Sequence, residues 1–114
     1  MSAEPGRHDA TDALRRDYRV VFLRCLGRPD ERAFHDAYEL GRRAVEGRMS
    51  LLALAELHHE VLADVLGTGT QPAEVPALAA CAARFLVEVL APYEMSQRAL
   101  AEMREAAAGA TGGG

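Results

Sequence analysis

The chain has 114 residues, enough for one small domain, and its hydrophobic content of 49% excludes disorder along its whole length. Its formal net charge of −4 argues against non-specific binding to nucleic acid, and its 13 basic residues are all arginine, which excludes lysine-dependent Schiff-base and P-loop chemistry. No apolar run reaches the roughly 18–20 residues of a membrane helix, and the polar N-terminus lacks a secretion signal. We therefore expect a cytoplasmic protein without membrane contacts.

Four amphipathic segments, separated by glycine and proline, predict four helices. Gly27 suits the position just after the first helix, and Asp30 and Ser50 are good N-caps for the second and third. The four segments cover about residues 11–26, 30–46, 50–67 and 72–107.

The fourth segment is much longer than the others, and it contains Pro92. Its apolar stripe keeps helical phase on both sides of the proline, which predicts one kinked helix rather than two. About 30 residues would span roughly 45 Å, so the C-terminal half should extend past the bundle and need a cover. A second apolar strip, on the side opposite Phe85, predicts an interface. The strip consists of Ala83, Val87 and Ala91.

No segment alternates polar and apolar residues as a strand does. The fold class is therefore all-α, an antiparallel four-helix bundle with a long fourth helix, and a dimer is expected. We expect a disordered N-terminal tail over residues 1–10, a helical domain over residues 11–108 and a flexible glycine-rich tail over residues 109–114.

Candidate chemistry is sparse, and we expect no catalytic, cofactor or metal residues. Cys25 and Cys81 lie among apolar neighbours, where a thiol stays protonated. His58 and His59 point about 100° apart on a helix and cannot share one metal ion. A buried His58, hydrogen-bonded across the bundle, is the favoured interpretation.

Two further functions stay open at this point. His59 followed by Glu60 is similar to the phosphoacceptor box of histidine kinases, which would make the chain a phosphotransfer module. The threonine and proline that follow the histidine in those kinases are missing here. The other alternative is a small-molecule sensor with a pocket inside the bundle.

Three motifs in order carry a resemblance to a known family: YELGRRAV at residues 38–45, LLALAELHHEVL at residues 51–62 and FLVEVLAPYEM at residues 85–95. Together they resemble the N-terminal regulatory domain of RsbU-type phosphoserine phosphatases, which shares its fold with the KaiA C-terminal helical domain. The resemblance covers about residues 12–104. It implies a dimeric four-helix bundle that binds a GHKL-type switch kinase, RsbT, in a bacterial stress response that controls a sigma factor.

The resemblance also implies how a signal would leave the domain. In the family, kinase binding is relayed through the last helix to a C-terminal phosphatase domain. This chain has no such domain, so we expect no enzymatic activity and either a stand-alone regulator or a fragment of a longer protein. We predict that the segment after Pro92 is the mobile output element.

The resemblance implies that the switch kinase docks on exposed parts of the second and fourth helices, and helical phase selects the residues of this chain on that surface and on the output helix. The expected partner-binding residues are His35, Glu39, Arg42, Arg84, Val87 and Glu88. The expected residues of the dimer and output helix are Tyr93, Met95, Leu100 and Met103.

Overall fold

The computed structural model describes the backbone of residues 5–112 and the side chains of residues 10–110. Within that part of the chain, the fold is all-α and contains four helices and no strand. The helices are α1 (Pro5–Gly27), α2 (Glu31–Glu46), α3 (Leu51–Leu66) and α4 (Val75–Gly112), with a 3-10 turn (Pro72–Glu74) before the last. The predicted fold class, with its long fourth helix, is confirmed.

The helix ends follow local side-chain chemistry. The Asp30 carboxylate accepts the Ala33 backbone N–H at 2.9 Å, and the Ser50 hydroxyl accepts that of Ala53 at 3.0 Å. Each bond satisfies a backbone donor that the first helical turn leaves without a partner. Both predicted N-caps are therefore confirmed.

The two terminal boundaries differ from the expected ones. Residues 5–10, expected in a disordered tail, belong to α1, because a proline is well suited to a first helical turn. Residues 109–112, expected in a flexible tail, belong to α4, because the alanines around Gly109 favour helix strongly enough to offset one glycine. The rest of the expected tails, residues 1–4 and 113–114, lies outside the described residues.

Cross-helix side-chain contacts give the direction of each helix. In the contacts between α1 and α2, residue numbers increase along one helix as they decrease along the other, so these two helices are antiparallel. In the contacts between α1 and α3 the residue numbers increase together, so these two helices are parallel. The pairs are Arg24–Asp36 and Arg43–Asp17 for α1 and α2, and Arg15–Glu60 and Arg19–Asp64 for α1 and α3. The α1 residues Tyr18 and Cys25 contact Phe85 and Cys81 of α4, so α4 is antiparallel to α1. The result is an up-down-up-down bundle.

The core lies between α1 and α4, and α2 and α3 both pack against this pair. Its centre is aromatic: the Phe85 ring meets the Tyr18 and Phe22 rings edge-on, with centroids 5.1 and 5.2 Å apart. All three rings are completely buried. Aliphatic side chains from α3 and α4 close the core around them, namely Leu54, Leu57, Val61 and Val89.

The most extensive packing between two helices joins α2 and α4, which run parallel to each other. Their backbones come close at Gly41, where a Cβ atom would lie only 2.1 Å from the Val89 carbonyl oxygen and 3.1 Å from Cδ of Pro92. Only a residue without a side chain lets the two backbones come this close. Gly41 therefore sets the contact between α2 and the proline-containing turn of α4.

The fourth helical segment is long and apolar enough to cross a membrane by length and composition. Over Pro72–Ala110, its most apolar 18-residue window has a mean hydropathy of 1.6, and 33% of that window is buried inside the bundle. This corrects the expectation that no run reaches such a length. A helix that supplies Phe85 and Val89 to a buried core has the same kind of composition. The absence of membrane contacts stays a prediction.

Candidate functional site

The most distinctive surface of the molecule is the part of α4 that leaves the bundle. The helix is continuous through the buried Pro92, which confirms the prediction of one helix, and the Tyr93 hydroxyl donates to the Met49 carbonyl oxygen at 2.8 Å. After Tyr93 every described side chain, residues 94–110, is exposed. We call residues 94–112 the arm; it is about 28 Å long at ~1.5 Å per residue.

Among the described side chains, the arm carries an apolar stripe that is exposed. Leu100 and Met103, two of the expected dimer and output residues, are 47% and 65% exposed. They continue the helical face on which Val89 and Tyr93 pack into the bundle. Met95, which is also exposed, accepts a hydrogen bond from the Tyr38 hydroxyl at its sulfur, 3.2 Å away. This contact ties the first turn of the arm to α2.

The six expected partner-binding residues lie on the neighbouring helices α2 and α4. His35, Arg42, Arg84 and Val87 are exposed, and Glu39 and Glu88 are half-buried. Both arginines among these six residues have partners within the chain. Arg42 forms ion pairs with Glu39 and Glu46, and the Arg84 guanidinium lies over the Phe34 ring, 4.2 Å from its centroid. These contacts hold both arginine side chains in place at the surface.

The second apolar strip of α4 is partly open to solvent. Val87 is 64% exposed on the side opposite the core, as its phase relative to Phe85 predicts. Ala83 is exposed and Ala91 half-buried. An aliphatic side chain this open, beside Arg84 and Glu88, offers an apolar contact with a charged rim, which is the composition typical of protein interfaces.

His58 is the one buried polar residue among those described, with 8% of its surface exposed. Its Nδ1 lies 2.6 Å from the Tyr18 hydroxyl oxygen, and its ring stacks on Phe85. Burial and then the neighbouring His59 lower the pKa of His58, whereas burial raises the pKa of Tyr18 well above its usual range. The pair is therefore neutral and joins α3 to α1 inside the core, as predicted for His58.

This pair makes the stability of the fold sensitive to acid. The pKa of His58 is lower in the folded than in the unfolded chain, so the unfolded chain binds a proton first as the pH falls. We expect the free energy of unfolding to be highest above about pH 6.5 and to decrease below it. Thermal unfolding between about pH 7.5 and 5 should show this loss in the native chain and in His35→Gln, an exposed control. His58→Gln should reduce it; an unchanged pH profile in that variant would place the sensitivity elsewhere.

The candidate phosphoacceptor, His59, is exposed on α3. Within residues 10–110, no three histidine, cysteine or acidic side chains come together in a metal-binding arrangement. The bundle centre, where a sensor would hold its ligand, is filled by the aromatic rings described above.

Comparison with known proteins gives one match. The family model described as phosphoserine phosphatase RsbU, N-terminal domain, matches residues 16–96. No curated protein and no solved structure matches the chain. The matched region runs from the middle of α1 to the first turn of the arm, so it contains all four helices of the bundle and most of the arm lies beyond it.

Proposed function

We propose a signalling role through protein–protein contacts for this chain, which belongs to the family of RsbU N-terminal domains. The matched domain is the non-catalytic regulatory domain of that phosphatase. The observation that carries the proposal is the uncovered arm, because a helix of this length with an apolar stripe gains free energy when another surface covers it.

The first proposed contact is a homodimer through the arm. The stripe of Leu100 and Met103 continues a face that is fully packed within the bundle, so a second copy can extend the same packing. Helix α4 of each chain would then cover the arm of the other.

Light scattering tests the dimer. At micromolar concentration we expect twice the chain mass of 12.3 kDa. Leu100→Asp should give a monomer, because a charge in the stripe would lose its water on association. The control Ala101→Asp adds the same charge about 100° round the helix and should leave the dimer intact. A native chain that scatters as a 12.3 kDa monomer would contradict the dimer.

The second proposed contact is with a GHKL-type switch kinase similar to RsbT, in the bacterial stress-response system that regulates a sigma factor. Its support is the family together with the exposed Arg42 and Val87 on neighbouring helices. An apolar side chain with charged residues around it suits a partner that binds reversibly and must be released.

A binding titration with such a kinase tests this surface. Arg42→Glu and Val87→Asp should each weaken binding by about tenfold or more, since each places an unfavourable charge in the contact. Circular dichroism should stay helical, because both side chains are exposed. The control Arg16→Glu changes an exposed arginine of α1 and should bind normally. Unchanged affinity in both surface variants would place the docking face elsewhere.

Hydrogen exchange in the same samples tests the output role of the arm. Amides of residues 93–104 should exchange faster than those of residues 78–90 in the free chain, because the side chains of residues 94–104 are exposed whereas those of residues 78–90 supply the core. Kinase binding should slow them if the arm is the element that orders. Equal, strong protection along all of α4, unchanged by the kinase, would remove this mechanism.

A further inference from the structure

Two cysteines from different helices meet inside the bundle. Cys25 of α1 is completely buried, Cys81 of α4 is 9% exposed, and both are free thiols. Their sulfur atoms lie 3.2 Å apart. A disulfide has a sulfur–sulfur distance of about 2.0 Å, so small side-chain rotations would bring the two atoms to bonding distance.

A surface cavity leads to one of the two sulfurs. It has a volume of about 450 Å³ and is lined mainly by apolar side chains, among them Leu26, Pro29, Val65 and Leu78, with Cys81 in its wall. Cys25 does not line it. A small uncharged molecule can therefore reach Cys81 from solvent, whereas Cys25 is completely buried.

We propose that Cys25 and Cys81 form a dithiol oxidation site, at which a hydroperoxide entering this cavity converts the two thiols into a disulfide between α1 and α4. The site is independent of the proposed kinase and dimer contacts. The cavity has the volume of a small-molecule site and a mainly apolar wall, with Thr70 and Glu74 as its polar members, so a small uncharged hydroperoxide can enter it.

The order of events follows from the two environments. Cys81 lies in the cavity wall and Cys25 does not, so Cys81 reacts first; burial also raises the pKa of the Cys25 thiol, which keeps that thiol protonated. The Cys81 sulfur attacks a peroxide oxygen, the O–O bond breaks, and the thiol proton passes to the leaving oxygen, which gives a sulfenic acid on Cys81. The sulfur of Cys25 then attacks that of Cys81, its proton passes to the departing hydroxide, and water leaves. The thiols lose two electrons and two protons, and the hydroperoxide is reduced to water and an alcohol, or to two waters.

The bond would constrain the fold over a long stretch of chain. It would close a loop from α1 through α2 and α3 to the start of α4, and long closed loops restrict the unfolded chain most. The same bond would fix the end of α1 against α4. We expect the melting temperature to rise by roughly 10 °C on oxidation and to return on reduction.

The test is oxidation of the folded chain by hydrogen peroxide, read by intact-mass and peptide mass spectrometry and by thermal unfolding. We expect a loss of mass equal to two hydrogen atoms, a peptide pair joined through Cys25 and Cys81, and the higher melting temperature, reversed by dithiothreitol. Cys25→Ala should instead accumulate oxidised Cys81, and Cys81→Ala should leave Cys25 reduced, because the accessible sulfur is then missing. The peptide map of the native chain decides the matter even where a variant folds poorly.

Two results would overturn the proposal. The first is sulfenic or sulfinic acid on Cys81 of the native chain without a cross-link, and the second is disulfide-linked pairs of chains in place of the internal bond.

Discussion

Replacing Gly41 by alanine is expected to lower the free energy of unfolding by about 3 kcal/mol, although alanine is the better helix former by about 1 kcal/mol. The new methyl group would lie 2.1 Å from the Val89 carbonyl oxygen and 2.9 Å from the Val89 carbonyl carbon. Both are backbone atoms of a helix and cannot rotate away as a flexible side chain could. The helices α2 and α4 would have to separate, and the packing next to Pro92 would be lost.

Urea unfolding followed by circular dichroism measures this effect, and Gly109→Ala is the matched control. Gly109 is also within a helix, but a Cβ there meets nothing within 4 Å. Gly109→Ala should therefore raise the free energy of unfolding, by less than about 1 kcal/mol. If the Gly41→Ala variant is as stable as the Gly109→Ala variant, that result would contradict the close contact between Gly41 and the Val89 backbone.

Truncation of Phe85 to alanine should cost about 4 kcal/mol, because it removes the ring that holds three helices together. Phe85 packs edge-on against Tyr18 and Phe22 of α1 and stacks on His58 of α3. Its removal leaves a cavity between helices and takes away the apolar surface that keeps His58 neutral. Phe85→Leu fills most of that space and should cost about 1–2 kcal/mol.

Val87→Ala is the control for this second experiment. It shortens an apolar side chain two residues further along the same helix, where 64% of the residue is exposed. Its effect on the free energy of unfolding should stay within about 0.5 kcal/mol. A similar decrease in the free energy of unfolding for Phe85→Ala and Val87→Ala would contradict the burial of Phe85 in the core and the exposure of Val87.

The sequence predicted the helices because their signals are local. The carboxylate of Asp30 and the hydroxyl of Ser50 cap helices wherever the next residues favour helix, and spacing alone put Phe85 inside and Val87 outside. The outer ends of the first and fourth helices were predicted wrongly, because residues 5–10 and 109–112 have weak capping signals and weak apolar spacing. The positions of the expected interface residues could be predicted in the same way, but whether they bind a partner stays a prediction.

What the sequence by itself determined is thus the number of helices and, for the fourth, its excess length and its buried face, which follow from signals between residues close together in the chain. Only the tertiary structure decided which helices touch. It brings α2 against α4 at Gly41, His58 against Tyr18, and Cys25 to 3.2 Å from Cys81. Residues 56 positions apart share no local pattern; their meeting depends on how whole helix surfaces fit, and that fit is a property of the packed bundle rather than of any one segment.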